Sequence, residues 1–278
     1  MADSKISDLT AATSLISTDE FVIASSGTTK KITAADMVSS FGSSTDGWTA
    51  AGETWTYASA DSPTFTFTVA ADVTTKYAVG MRVKLTQTTV KYFVVTKVST
   101  FSGGNTTITI YGGTDYTLAN ASITSPYWSM IKAPFGFPMD PLKWTETLVN
   151  NATHLRQTSP SGAWQNLTSG SLPIGSWKVR FSGIIYFETT VQASYVVHTT
   201  LSTANNSESE TAFTASLYGV VGTNGAMITF YRDRDVAVTS KTTLYVNIGN
   251  GSGATNVPGV GLYGPYNPTI VRAVCAYL

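Results

Sequence analysis

Few residues in this chain are of a type and spacing that could do chemistry. The two histidines, His154 and His198, stand without a cysteine or carboxylate at metal-ligand spacing. There is no Gly-x-Ser-x-Gly elbow, no phosphate-binding loop and no dinucleotide fingerprint. Two acidic pairs invite comparison with the paired carboxylates of glycosidases. Glu208 and Glu210 flank Ser209 in a polar stretch, and Asp233 and Asp235 alternate with Arg232 and Arg234. In a strand the second pattern puts both arginines on one face and both aspartates on the other, an order suited to lateral ion pairs with neighbouring chains. Neither pair carries the Asp-x-Asp-x-Asp-Gly order of a calcium loop. The sequence names no catalytic residue, no metal ligand and no cofactor.

Binding is better served. Val257 to Pro268 is too rich in Gly and Pro for regular structure yet carries Tyr263, Tyr266 and Asn267, and Ser161 to Asn166 sets Trp164 beside Gln165 and Asn166 in a turn-rich run. Flat aromatic faces beside amides suit sugar rings, so Trp164, Asn166, Tyr263, Tyr266 and Asn267 are candidate glycan contacts. The competing reading buries the same aromatics against a sister subunit.

These residues sit on elements that read as strands. Thr64-Phe65-Thr66-Phe67-Thr68-Val69 alternates strictly, and Tyr92 to Val98 is apolar enough to be central. With Glu53–Ala58, Met81–Leu85 and Thr107–Tyr111 they predict a small β sandwich or barrel over 48–132. Three prolines and a glycine in Ala133–Pro141 predict a stiff connector, 133–141, whose phenylalanines pack on their neighbours. Over 142–278, strands at 177–181, 184–187, 194–198, 226–231, 243–248 and 270–275 predict a jelly-roll-like β-sandwich. The fold class expected is all-β. Cys275, the lone cysteine, falls in an alternating apolar strand and reads as a small core residue.

Ahead of these, residues 1–43 are too few to bury a core of their own. A hairpin from Phe21 to Ile32 with a Ser-Ser-Gly turn leads into one helix with Thr33 as N-cap and Asp36 in its first turn. Ile6, Leu9, Leu15, Phe21, Ile23, Ile32 and Met37 are its apolar positions, and they are expected to find shelter in other chains. A linker, Gly42 to Gly47, follows.

Charged residues are 12% of the 278, with seventeen basic against seventeen acidic and no net charge; soluble domains usually carry about 25%. That balance gives no electrostatic pull toward nucleic acid or an anionic membrane. No N-terminal apolar signal core and no run approaching the about 20 apolar residues of a membrane span is present, which predicts synthesis in a cytosol.

The runs Lys5-Ile6-Ser7-Asp8-Leu9-Thr10-Ala11-Ala12, Thr18-Asp19-Glu20-Phe21-Val22-Ile23 and Thr28 to Asp36 resemble the opening of many tailed-bacteriophage structural proteins. The resemblance implies a virion protein made in the host bacterial cytoplasm, docked to other virion proteins by residues 1–43 and forming a homo-oligomer, commonly a trimer. A tail fibre or receptor-binding protein whose sandwich touches a host-surface polysaccharide is the first reading. A head fibre, decoration or tail scaffold protein binding only virion proteins is the second, and a glycan depolymerase the third.

Overall fold

The computed structural model describes residues 16, 18–25, 27–40, 46–157, 163–188, 193–221, 226–251 and 259–277. The described chain is all-β but for one short helix and two 3₁₀ turns.

Near the N-terminus, β1 (Glu20–Ser25) and β2 (Thr28–Thr33) pair only with each other, turning at Gly27 with φ +73°. Helix α1 (Ala34–Ser40) follows at once. The Thr33 hydroxyl accepts from the Asp36 N–H at 3.1 Å and donates to its carboxylate at 2.7 Å, a cap read directly from the residue types. Phe21, Ile32 and Met37 are half-buried, whereas Val22 is exposed. Ile6, Leu9 and Leu15 lie outside the described residues, as does the side chain of Ile23.

The next module is a single seven-stranded antiparallel sheet. In spatial order it runs β3 (Thr49–Ala50), β9 (Thr124–Ser129), β6 (Arg82–Thr86), β7 (Val90–Val98), β8 (Thr106–Tyr111), β5 (Thr64–Val69) and β4 (Trp55–Asp61). The two outermost strands are joined by residues 51–54 alone, so the sheet curls until its ends meet. Ala51, Trp55, Phe67, Val83, Leu85, Phe93, Val95, Ile108 and Ile110 fill the interior. The alternation of β5 is seen directly, with Phe67 and Val69 buried on one face.

Two sheets then stack as a sandwich. The first holds β10 (Thr145–Asn151), β11 (His154–Gln157), β13 (Gly175–Glu188), β16 (Ala226–Val238), β18 (Gly259–Tyr263) and β19 (Thr269–Tyr277). β13 pairs with β16 along one edge over its whole length, and with β18 and β19, laid end to end, along the other. The second sheet runs β12 (Trp164–Leu172), β17 (Thr242–Asn250), β14 (Ala193–Ser202) and β15 (Ala215–Val221). Between them lie Trp177, Phe181, Ile185, Phe187, Tyr195, Val197, Leu201, Val246, Ile248, Leu262 and Val271, with Cys275 at the margin of the same core.

That core continues into the curled sheet. Tyr111 of β8 lies 5.8 Å from the Trp144 ring and 5.9 Å from the Trp177 ring, and Phe137 stacks on Trp144 at 5.3 Å. Buried indoles need acceptors. Trp48, Trp144 and Trp177 donate to the carbonyls of Phe135, Pro138 and Pro173, at 2.9, 2.8 and 3.0 Å. The expectation that the connector's phenylalanines pack holds for Phe137 alone, because Phe135 is 82% exposed and contributes only backbone groups, its carbonyl to Trp48 and its N–H to the Asp46 carbonyl.

Trp144 therefore joins both bodies. Trp144→Ala should lower stability by about 3–5 kcal/mol, the cost of emptying a large aromatic site, measured by urea denaturation. A loss below about 1 kcal/mol would mean the junction does not hold the two sheets together.

Candidate functional site

The candidate glycan residues divide between the outer faces of opposite sheets. On the first sheet, Tyr263 closes β18, and His154 opens β11 directly opposite it. Their rings lie 4.3 Å apart, with Tyr186 of β13 5.7 Å from Tyr263 and Tyr266 4.9 Å away on the other side. Gly264 allows this closure: a Cβ there would sit 2.3 Å from the Thr153 carbonyl, which accepts from the Gly264 N–H at 3.1 Å. Desolvation, then the neighbouring Tyr266 phenol, pushes the Tyr263 hydroxyl above its ordinary range. Asn267 is half-buried in the turn that carries Tyr266.

On the second sheet, one cross-strand row runs Trp164, Gly249, His198, Ser216 over β12, β17, β14 and β15. Inward-facing Val197, Thr199 and Leu201 force His198 outward by strand alternation. A Cβ at Gly249 would meet three atoms of the Trp164 indole at 3.1–3.4 Å, and one at Gly251 would meet His198 Nε2 at 2.8 Å. The Trp164 indole thus lies over the bare backbone of Gly249, and the Nε2–Cδ2 edge of His198 lies against that of Gly251. The two centroids are 6.2 Å apart, and Tyr218, two-thirds exposed, stands edge-on 6.1 Å beyond His198. The Ser216 hydroxyl meets His198 Nδ1 at 2.7 Å and fixes the ring.

Asn166 is placed differently from its neighbour Trp164. Its side-chain amide donates to the Thr168 carbonyl at 2.9 Å, and its backbone N–H donates to Asn206 Oδ1 at 2.6 Å. Asn247 donates to the Ala204 and Ser207 carbonyls. Both asparagines pin the 203–210 loop over the sheet. His154, Tyr186, His198, Ser216 and Tyr218 were not singled out as binding residues from the sequence, where no motif marks them.

The acidic pairs are placed within the fold. Glu208 accepts from the Thr214 hydroxyl, and Glu210 accepts from the Ala212 N–H at 3.0 Å to cap a 3₁₀ turn. Arg232 and Arg234 do share one face of β16 and the aspartates the other. Within the chain Asp235 faces Lys178 of β13 at 3.9 Å, both side chains staying largely exposed, and Arg232 donates to the Thr214 carbonyl at 3.0 Å. Among the described residues no group of three or more His, Cys, Asp or Glu could hold a metal ion, and no helix is long and apolar enough to cross a membrane.

No family model and no curated protein matches the chain. Among solved structures it is similar to a chain of the T13 viral particle of infectious bursal disease virus, at 12% identity and TM-score 0.34, over 80% of this chain and 56% of that one. It is also similar to the VP2 subviral particle of the same virus, at 14% identity and TM-score 0.30, over 93% of this chain and 69% of that one. The chain thus spans little more than half the length of the first. The kinship with tailed-bacteriophage proteins read from residues 1–43 is corrected by these findings: the structural neighbours come from infectious bursal disease virus, and no family model or curated protein supports the phage resemblance. A hairpin running into a capped two-turn helix is a local motif that unrelated chains reach by the same turn and cap chemistry. Likenesses this faint fix neither family nor function.

Burial holds the His198 ring below its ordinary pKa of 6.5, against a smaller upward pull from Glu208. Unfolded His198 therefore takes up a proton at a pH where the folded ring resists it, so stability is lost as pH falls below about 6.5. His198→Gln should flatten the loss of urea stability between pH 7 and pH 5. An unchanged slope would place the acid response elsewhere.

Proposed function

We propose that this chain is a non-enzymatic structural subunit of a virus particle that works as a homo-oligomer, with its N-terminal hairpin and helix docking onto other particle proteins. The observation that carries the reading is β13. From Gly183 to Phe187 every residue is buried, on both faces of the sheet. Ile185 and Phe187 point into the sandwich, while Ile184 and Tyr186 point out. A sandwich sheet with one wet face alternates apolar with polar, whereas a strand apolar on both faces belongs between two layers.

The surrounding outer surface extends the pattern. Met227 and Tyr231 of β16 lie beside Tyr186 and Ser182, each half-exposed, and Tyr266 is 77% exposed at the rim. Further along, Lys178 and Arg180 form a cationic column next to the anionic column of Asp233 and Asp235. A second copy laid across this sheet covers the apolar half and sets one copy's anions over the other's cations. The neutral, sparsely charged composition suits a subunit spending its life in contact with copies of itself. On this reading the opposite sheet stays free, and it is the face that would meet a host-surface polysaccharide.

Light scattering coupled to gel filtration tests it. The wild-type chain should elute as an oligomer at micromolar concentration, and Met227→Asp with Tyr231→Asp should elute as a folded monomer. Tyr218→Asp, on the other sheet, should leave the mass unchanged. A monomeric wild type, or a double variant of unaltered mass, would overturn the proposal.

A further inference from the structure

The outer face of the second sheet holds an arrangement that subunit association does not use. The Trp164 indole and the His198 imidazole rest on Gly249 and Gly251, where any Cβ would lift them. The indole is thereby committed to backbone at Gly249, and Trp164 and His198 are both half-buried. In a core, aromatic rings are covered on both sides; a ring flattened on glycine presents a plane. Val196 and Gly251 continue the surface from this row toward Tyr218, which rises edge-on as a wall.

The polar groups around this plane are hydroxyl and imidazole rather than ionic. Ser216 anchors His198 Nδ1 at 2.7 Å. Glu208 acts on the ring only through its field, and its carboxylate is engaged by Thr214. The 203–210 loop, tied down by Asn166 and Asn247, borders the same sheet face at the other end. The surface is therefore aromatic and uncharged, with the Trp164 and His198 rings inclined at 41° to each other and the polar atoms at the margin.

We infer that this face binds a neutral saccharide, with a pyranose ring stacked on Trp164 and the adjoining residue of the chain held between His198 and Tyr218. The apolar C–H face of a hexopyranose matches an aromatic plane, while its equatorial hydroxyls reach the hydroxyls and carbonyls at the margin. The centroid spacings of 6.2 and 6.1 Å place successive rings one sugar unit apart, so the run of three suits an oligosaccharide rather than a single sugar. Affinity at one site is modest and is raised by presenting several copies. The inference rests on the reading that the other sheet is the covered one, since only then does this face point outward.

The probes are neutral tetra- to hexasaccharides of glucose, galactose, mannose and N-acetylglucosamine on an array, followed by titration calorimetry of the full-length oligomer with the best-retained sugar. Wild type should retain at least one of them. Trp164→Ala should weaken binding about tenfold, the loss expected from about 1.4 kcal/mol of stacking, and Trp164→Phe should recover part of it. Gly249→Val, which displaces the indole without altering it, should weaken binding with normal gel-filtration mass. Phe101→Ala, on a loop of the curled sheet away from both faces of the sandwich, should bind as wild type. No retained sugar, or Trp164→Ala binding as tightly as wild type, would overturn the site. A change of oligomer mass in Trp164→Ala would also overturn it, by making this face a subunit contact. Oligomer mass and sugar retention are separate readouts, so the failure of one reading is not mistaken for failure of the other.

Discussion

β13 has to satisfy two opposed layers at once. Its inward side chains, Trp177, Val179, Phe181, Ile185 and Phe187, form the spine of the sandwich core, and Trp177 carries that core onward to Tyr111 of the curled sheet. Its hydrogen bonds run to β16 on one edge and to β18 and β19 on the other, so three strands take their register from it. With both edges used and one face filled, the only freedom left is the outer face. There Ile184 and Tyr186 are already buried by their neighbours, and the apolar area still open to water is that of Met227 and Tyr231 alongside. The architecture and the proposed association follow from this one strand.

The two outer faces of the sandwich differ in kind. On the first sheet the aromatics crowd together, His154, Tyr186, Tyr263 and Tyr266 covering one another's faces at 4.3 to 5.7 Å. On the second they are spread at about 6 Å and pressed onto glycine. Crowded rings give adhesive apolar area, and spread rings give planes. A subunit that must hold its own copies and also meet something foreign needs both, and the sandwich supplies one on each side.

Strict alternation made β5, the first half of β13 and β19 legible in the residues, because burial on one face leaves a period-two signature. The Thr33 cap was equally plain, since hydroxyl and carboxylate three residues apart satisfy a helix start locally. β9 was hidden by Pro126. It survives in the sheet because its pairing with β6 shifts register between Lys84 and Thr86, and the proline's carbonyl still accepts from Ala51. β10 and β12, rich in Thr, Ser and Asn, lacked the apolar contrast that marks a strand. Of the site, Trp164 and the two tyrosines were visible as aromatics in turn-rich runs. That they lie on opposite sheets was not, because strand order is set by long-range pairing that no local pattern encodes. His198 was invisible for the same reason: its platform exists only where Gly249 and Gly251 of a distant strand pass beneath.

The central claim is that the outer face of the first sheet is covered by another copy while the second stays open. Hydroxyl-radical footprinting across a dilution series reads both faces in one sample. The account predicts that Met227 and Tyr231 are protected at micromolar concentration and become reactive on dilution, with Tyr218 reactive throughout. Equal reactivity of Met227 and Tyr231 at every concentration would contradict it.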